Sequence, residues 1–148
     1  MIFRLERCGM KFAHIGDLHI GKRVHDFSML EDQRYILDQM IKIFEEQKVD
    51  GVLIAGDVYD KTVPSAEAVQ LFDEFITGLA KAEIPVYMIS GNHDSAERLS
   101  FGAKLFESSD IYISQVYDGE MKRIVLKDQY GPCLLYTSPS PRDKRQSR

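Results

Sequence analysis

The sequence predicts an α/β fold in which helices pack in layers on a largely parallel β-sheet. Two observations predict it: short apolar runs alternate with longer stretches of helical periodicity, and each strong apolar run ends in glycine followed by polar residues. Residues 10–15, MKFAHI, read as the first strand. Ser28 and Glu31 stand at capping-box spacing before a helix that runs to about residue 48, with Leu37, Met40, Ile41 and Phe44 on one face. Residues 52–55, VLIA, carry no polar side chain and read as a second strand buried on both faces. Pro64-Ser65 opens the next helix, to about residue 82. PVYMIS follows as a third strand, residues 96–106 as a third helix, and residues 111–113 and 123–126 as shorter strands. Strands joined through helices of this length imply right-handed crossovers between parallel neighbours.

A chain of 148 residues that is 44% hydrophobic and 28% charged has the balance of one globular domain with a real core. No apolar run approaches the roughly 20 residues that cross a bilayer. The opening MIFRLERCG is too charged for a secretory signal, so a cytoplasmic protein is expected. Cys8 and Cys133 are the only cysteines, which argues against a disulfide framework or a CxxC metal site. Between residues 10 and 132 there are 13 Lys or Arg against 21 Asp or Glu, a net charge of −8. That surface repels DNA at long range, so any nucleic-acid contact must be local or depend on a partner.

The three strong strands end in FAHI-Gly16-Asp17-Leu18-His19, VLIA-Gly56-Asp57 and YMIS-Gly91-Asn92-His93-Asp94. Ligands bind at the carboxyl ends of the strands in open α/β sheets, so these segments should converge, with Gly91 allowing a sharp turn. The chemistry suited to such a cluster is two-metal hydrolysis of a phosphate ester. Asp17 and His19, two apart at a strand end, can grip one ion; Asp57 can bridge two ions roughly 3.5 to 4 Å apart, and Asn92 can offer its carbonyl oxygen to the second. Mixed N/O donors suit Mn, Fe or Zn better than Ca. His93 is placed to protonate the leaving oxygen or to stabilise developing charge. Taken singly, Gly56-Asp57 and Asp17-x-His19 are ordinary turns or helix caps, while Gly-Asn-His-Asp is rarer because a turn does not need the His; taken together on successive strand ends, the three point to a site. His14 alternates within the first strand and is expected to pack there, and His25, before a helix, is expected to be solvated. Gly16 to Lys22 mimics a phosphate-binding loop, but Arg23 stands where that loop needs Ser or Thr. Lys22 and Arg23 are instead expected on the rim, either contacting substrate phosphates or simply solvated.

These motifs, in this order, resemble the calcineurin-like metallophosphoesterases. More narrowly, HIGDLHIGK, EDQRYIL, LIAGDVYDKTVPS and ISGNHDSAERL are similar to the SbcD family of bacterial nuclease subunits, over residues 10–132. The resemblance implies that Asp17, His19, Asp57 and Asn92 are metal ligands and His93 the catalytic histidine. It further implies two manganese ions (Mg, Fe or Zn being possible), exonuclease and endonuclease action on DNA ends and hairpins in repair and recombination, and an SbcC-like ATPase partner. An esterase of small phosphodiesters or phosphoproteins and a non-catalytic scaffold are the alternatives. The family pattern also calls for a later Gly-His step and a His-x-His, and no histidine follows His93. On this reading the chain is the N-terminal part of such a domain, truncated.

The helix over residues 65–82 carries Val69, Leu71, Phe72, Phe75, Ile76 and Leu79, an apolar stripe wider than the roughly 100° one that covers a sheet. A second sheet or a second copy of the chain could take the excess, and the resemblance implies a homodimer through helices of the nuclease domain. Both ends of the chain are expected to be foreign to the domain. Residues 1–9 read as translated upstream sequence. CLLYTSPSPRD, from residue 133, resembles a sequencing adapter read in frame, and residues 133–148 are expected to be adapter-derived or a disordered tail.

Overall fold

The computed structural model describes residues 2–4, 9–114 and 123–136. Strand β1 (Ile2–Arg4) lies antiparallel to β2 (Lys11–Ile15). A small hairpin of β3 (Arg23–Val24) and β4 (Phe27–Ser28) leads into helix α1 (Leu30–Glu46). Next come β5 (Gly51–Ala55), α2 (Ala66–Lys81) and β6 (Val86–Ile89). Two short helices, α3 (Ala96–Leu99) and α4 (Ala103–Phe106), precede β7 (Ile111–Ile113), and β8 (Arg123–Asp128) pairs with β9 (Gly131–Tyr136) as a hairpin. The main sheet has five strands in the order β1-β2-β5-β6-β7, with β2, β5, β6 and β7 mutually parallel, as the sequence predicts.

Period-two patterning divides this sheet into two packed faces. Ala13, Ile15, Val52, Ile54, Val86, Met88, Ile111 and Ile113 face α1 and α2, meeting Leu37, Phe44, Leu71, Phe75 and Leu79. On the other face Met10, Phe12 and Tyr87 meet Ile124, with Leu53, Tyr112, Leu126, Cys133 and Leu135 packed around them. Tyr87 stacks on Tyr112 with ring centroids 5.3 Å apart. Burial and the neighbouring Tyr112 and Asp110 push the Tyr87 hydroxyl up to about 12, so it packs as a neutral group. Among the described residues no helix is long and apolar enough to cross a membrane.

Several elements differ from the sequence reading. Ser28 belongs to β4 and α1 starts at Leu30 without a side-chain cap, so the expected capping box does not form; Ser28 Oγ only reaches Leu30 N, at 3.5 Å. The helix ends at Glu46 because Lys48 turns left-handed, at φ +50°. At α2 the signal is sound: Ser65 Oγ accepts from Ala68 N at 3.3 Å. The single helix expected over residues 96–106 is two, broken where Gly102 takes φ +75°, which a right-handed turn cannot accommodate. In β5, Val52 and Ile54 are buried and Leu53 half-buried, but Ala55 is exposed at the strand's carboxyl end. His14 is half-buried and His25 exposed, as expected. The boundary expected at residue 132 falls inside the β8–β9 hairpin, where Cys133 and Leu135 turn inward and Leu134 outward. Cys8, residues 137–148 and the basic DKRQSR segment lie outside the described residues.

Candidate metal centre

Strand register builds the site. Ile15 pairs with Ile54 and Ala55 with Ile89, so β2, β5 and β6 end level with one another and release their loops on the same side. The β2 and β5 loops then zip together. Asp17 N donates to Gly56 O at 3.3 Å, His19 N to Asp57 O at 3.0 Å, and Ile20 N to Val58 O at 2.8 Å.

As a result, Asp17, His19 and Asp57 each present a ligand atom, all within 4.8 Å of one another. All three residues hold left-handed backbone, at φ +53°, +43° and +49°. Non-glycine residues in that region store of order 1 kcal/mol or more each, and Asp and His tolerate it better than most. Such strain persists only where surrounding bonds over-determine it, as the zipped loops do here.

The β6 loop joins from the other side. His93 N donates to Asp57 Oδ1 at 3.0 Å, and the His93 ring stands edge-on to that of His19 with centroids 5.0 Å apart. The His93 Nδ1 lies 3.3 Å from the carbonyl oxygen of Asp60. A carbonyl only accepts, so Nδ1 carries the hydrogen and Nε2 is the free ring atom. Asn92 is exposed between Gly91 and His93, both of which abut Asp57. Gly91 is needed for a reason other than the turn the sequence suggests. Its φ is not positive; an added Cβ would instead run into Asp57 and come within 2.8 Å of its Cγ.

Asp94, to which sequence reasoning gave no role, ties the site together. Its Oδ2 accepts from Gly91 N at 2.9 Å and Val58 N at 3.1 Å, and its Oδ1 from Tyr59 N at 2.9 Å. One carboxylate thus fixes the β6 loop to the β5 loop; the only sequence signal was its position closing Gly-Asn-His-Asp. Burial, with Asp94 and Asp73 nearby, pushes the Tyr59 hydroxyl up to about 12, so Tyr59 packs as a neutral group.

The donor set fits a divalent cation. Two carboxylates and an imidazole converge, and the buried His19 Nδ1 has no hydrogen-bond partner, with the Asp60 carboxylate 3.8 Å away. A buried polar nitrogen without a partner among carboxylates is a cost that ligation or a closer acid can relieve. Lys22 and Arg23 are both exposed; the Arg23 guanidinium is held by the carbonyl of Asp26 within its own hairpin.

The model of the calcineurin-like phosphoesterase family matches residues 10–134. The chain belongs to this family. Members of the calcineurin-like phosphoesterase family bind divalent metals, and the Asp17–His19–Asp57 cluster is where this phosphoesterase can hold one. It is 47% identical over 105 residues to a protein from Staphylococcus epidermidis named as the SbcD subunit of the nuclease SbcCD, covering 70% of this chain and 28% of the relative. A protein of the same name from Staphylococcus saprophyticus is 46% identical over 131 residues, 88% of this chain and 34% of the relative. The phosphoesterase chain therefore spans about a third of the length of the curated relatives it matches.

Proposed function

We propose that this chain is part of a metal-dependent DNA nuclease subunit of the SbcD type, cleaving DNA ends and hairpins in repair and recombination beside an SbcC-like ATPase in the cytoplasm. The observation that carries the reading is that a histidine, His93, stands against the Asp17–His19–Asp57 cluster in a chain 46–47% identical to proteins named as nuclease subunits. Two manganese ions are the proposed cofactors, with Asn92 completing the second site.

The reaction is hydrolysis of a phosphodiester: a water oxygen bonds to phosphorus, one phosphorus–oxygen bond breaks, and the leaving oxygen takes up a proton. Divalent cations bound there would supply Lewis acidity at the phosphate and make the attacking water more acidic. Asp17, His19, Asp57 and Asn92 hold and orient that charge. His93, its Nδ1–H turned to the Asp60 carbonyl, delivers or relays the proton at Nε2. Lys22 and Arg23 are proposed to meet backbone phosphates flanking the scissile one, giving the acidic chain a local hold on DNA.

In a version extended to the length of the relatives, His93→Ala is expected to lower turnover on linear duplex DNA by about 10² or more with Mn²⁺ occupancy unchanged. Metal lost together with activity would make His93 a ligand instead. Cleavage of a chromogenic diester without any cleavage of DNA would overturn the nuclease reading in favour of a small-diester esterase.

A homodimer through α2 belongs to the same proposal. Its supports are Val69, 45% exposed on the helix, and a cavity of about 920 Å³ between α2 and the α3–α4 segment, lined by Val69, Phe72, Ile76, Leu99 and Phe101. Sedimentation of the extended protein is expected to give a dimer; a monomer at tens of micromolar would rule it out.

A further inference from the structure

We infer that Gln33, on the first turn of α1, is the positioning residue that holds His19 in ligand geometry. The inference rests on the reading of Asp17, His19 and Asp57 as a metal centre. His19 sits at φ +43° in a loop, residues 18–21, that follows no helical or strand ladder of its own. Each backbone polar group in such a loop needs a partner from elsewhere, and an unpaired one costs free energy. The β5 loop satisfies part of it, through His19 N and Ile20 N, and Asp60 N donates to Ile20 O at 3.1 Å.

His19 O accepts from Lys22 N at 3.1 Å within the loop, and the Gln33 amide adds a second bond to it and partners for Leu18 O and Gly21 N from a different element. Its Nε2 donates to His19 O at 2.8 Å and to Leu18 O at 3.1 Å, and its Oε1 accepts from Gly21 N at 3.0 Å. Donor and acceptor ends are therefore both engaged by the backbone on either side of the ligand. Only an amide of this length offers both: Glu lacks the donor, Met lacks both, and Asn is one carbon short. Gln33 is half-buried, and Leu37, one helical turn on, anchors the same face of α1 in the core. The amide is thus tied to the scaffold, and α1 clamps the β2 loop against the β5 loop with His19 between them. Gln33 touches no substrate; it acts through His19.

The test uses Gln33→Met, close in length and apolar, and Gln33→Glu, which keeps the acceptor for Gly21 N but turns a carboxylate toward two carbonyls. Co²⁺ titration of the chain, followed by visible absorption and calorimetry, is expected to show at least about 10-fold weaker binding in both variants, the size typical of a lost partner behind a ligand. In a His19→Ala background the Gln33→Met effect should vanish, because the ligand through which it acts is gone. Binding within two-fold of wild type, or an equal loss in both backgrounds, would overturn the inference. Absence of Co²⁺ binding by the wild-type chain would overturn the metal-centre reading instead. Amide exchange of the metal-free chain then decides the clamp on its own: Gly21 N–H should exchange at least ten times faster in Gln33→Met while Val52 and Ile54 keep their protection. An unchanged Gly21 rate sinks it. Should Gln33→Met not fold, Gln33→Glu carries the Co²⁺ comparisons, and Gln33→Leu, which also lacks both ends of the amide, carries the Gly21 exchange comparison.

Discussion

Asp57→Ala is expected to abolish cooperative binding of two divalent ions and to weaken Mn²⁺ binding more than the roughly 10- to 100-fold loss typical of partners behind a ligand. The carboxylate has two tasks. It is one corner of the Asp17–His19–Asp57 cluster, and its Oδ1 accepts the backbone N–H of His93 at 3.0 Å. Removing it takes away a ligand proposed to serve both ions and releases the backbone of His93, leaving the β6 loop held by Asp94. Asn92→Ala, by contrast, should weaken mainly one ion, since the Asp57 anchor survives. Calorimetric Mn²⁺ titration of the extended protein separates the cases, and two unaltered sites in Asp57→Ala would remove Asp57 from the centre.

Gly91→Ala should be nearly as damaging although it adds only a methyl group. The new Cβ would fall on Oδ1 and the backbone nitrogen of Asp57 and within 2.8 Å of Cγ. A flexible side-chain tip could retreat from such a contact, but the Asp57 backbone is fixed by His19 N on its carbonyl and by Gly56, which itself lies against Gly91. Overpacking a rigid site costs about 1 to 3 kcal/mol, and a clash against backbone belongs at the upper end or beyond. Denaturant unfolding should register that loss, and metal titration a displaced Asp57. Gly16→Ala is the comparison, because its Cβ would only approach Ala55 O to 3.2 Å and should be milder. Wild-type stability and metal binding in Gly91→Ala would show that the β5 and β6 loops have room to part around an added methyl.

Much of this was legible in the residues themselves. Apolar runs and helical periodicity are local properties, so the strands β2, β5, β6 and β7, both long helices and the Ser65 cap could be read directly. The convergence of Asp17, His19 and Asp57 was equally readable, because all three stand just past a strand-ending glycine and the carboxyl ends of neighbouring parallel strands come together. The capping box at Ser28 and the unbroken helix over residues 96–106 were not reliable, because a cap signal can sit one residue out of place and a lone glycine can either stay in a helix or end it. The rest was decided by tertiary structure. Asp94 reaches 36 residues back to Val58, Gln33 reaches 12 to 15 residues back across the β3–β4 hairpin, and Gly91 is required by the proximity of Asp57 rather than by its own backbone angle. Each of these depends on sheet register bringing distant loops level, and no local pattern encodes a distance between segments that meet only when the sheet has formed.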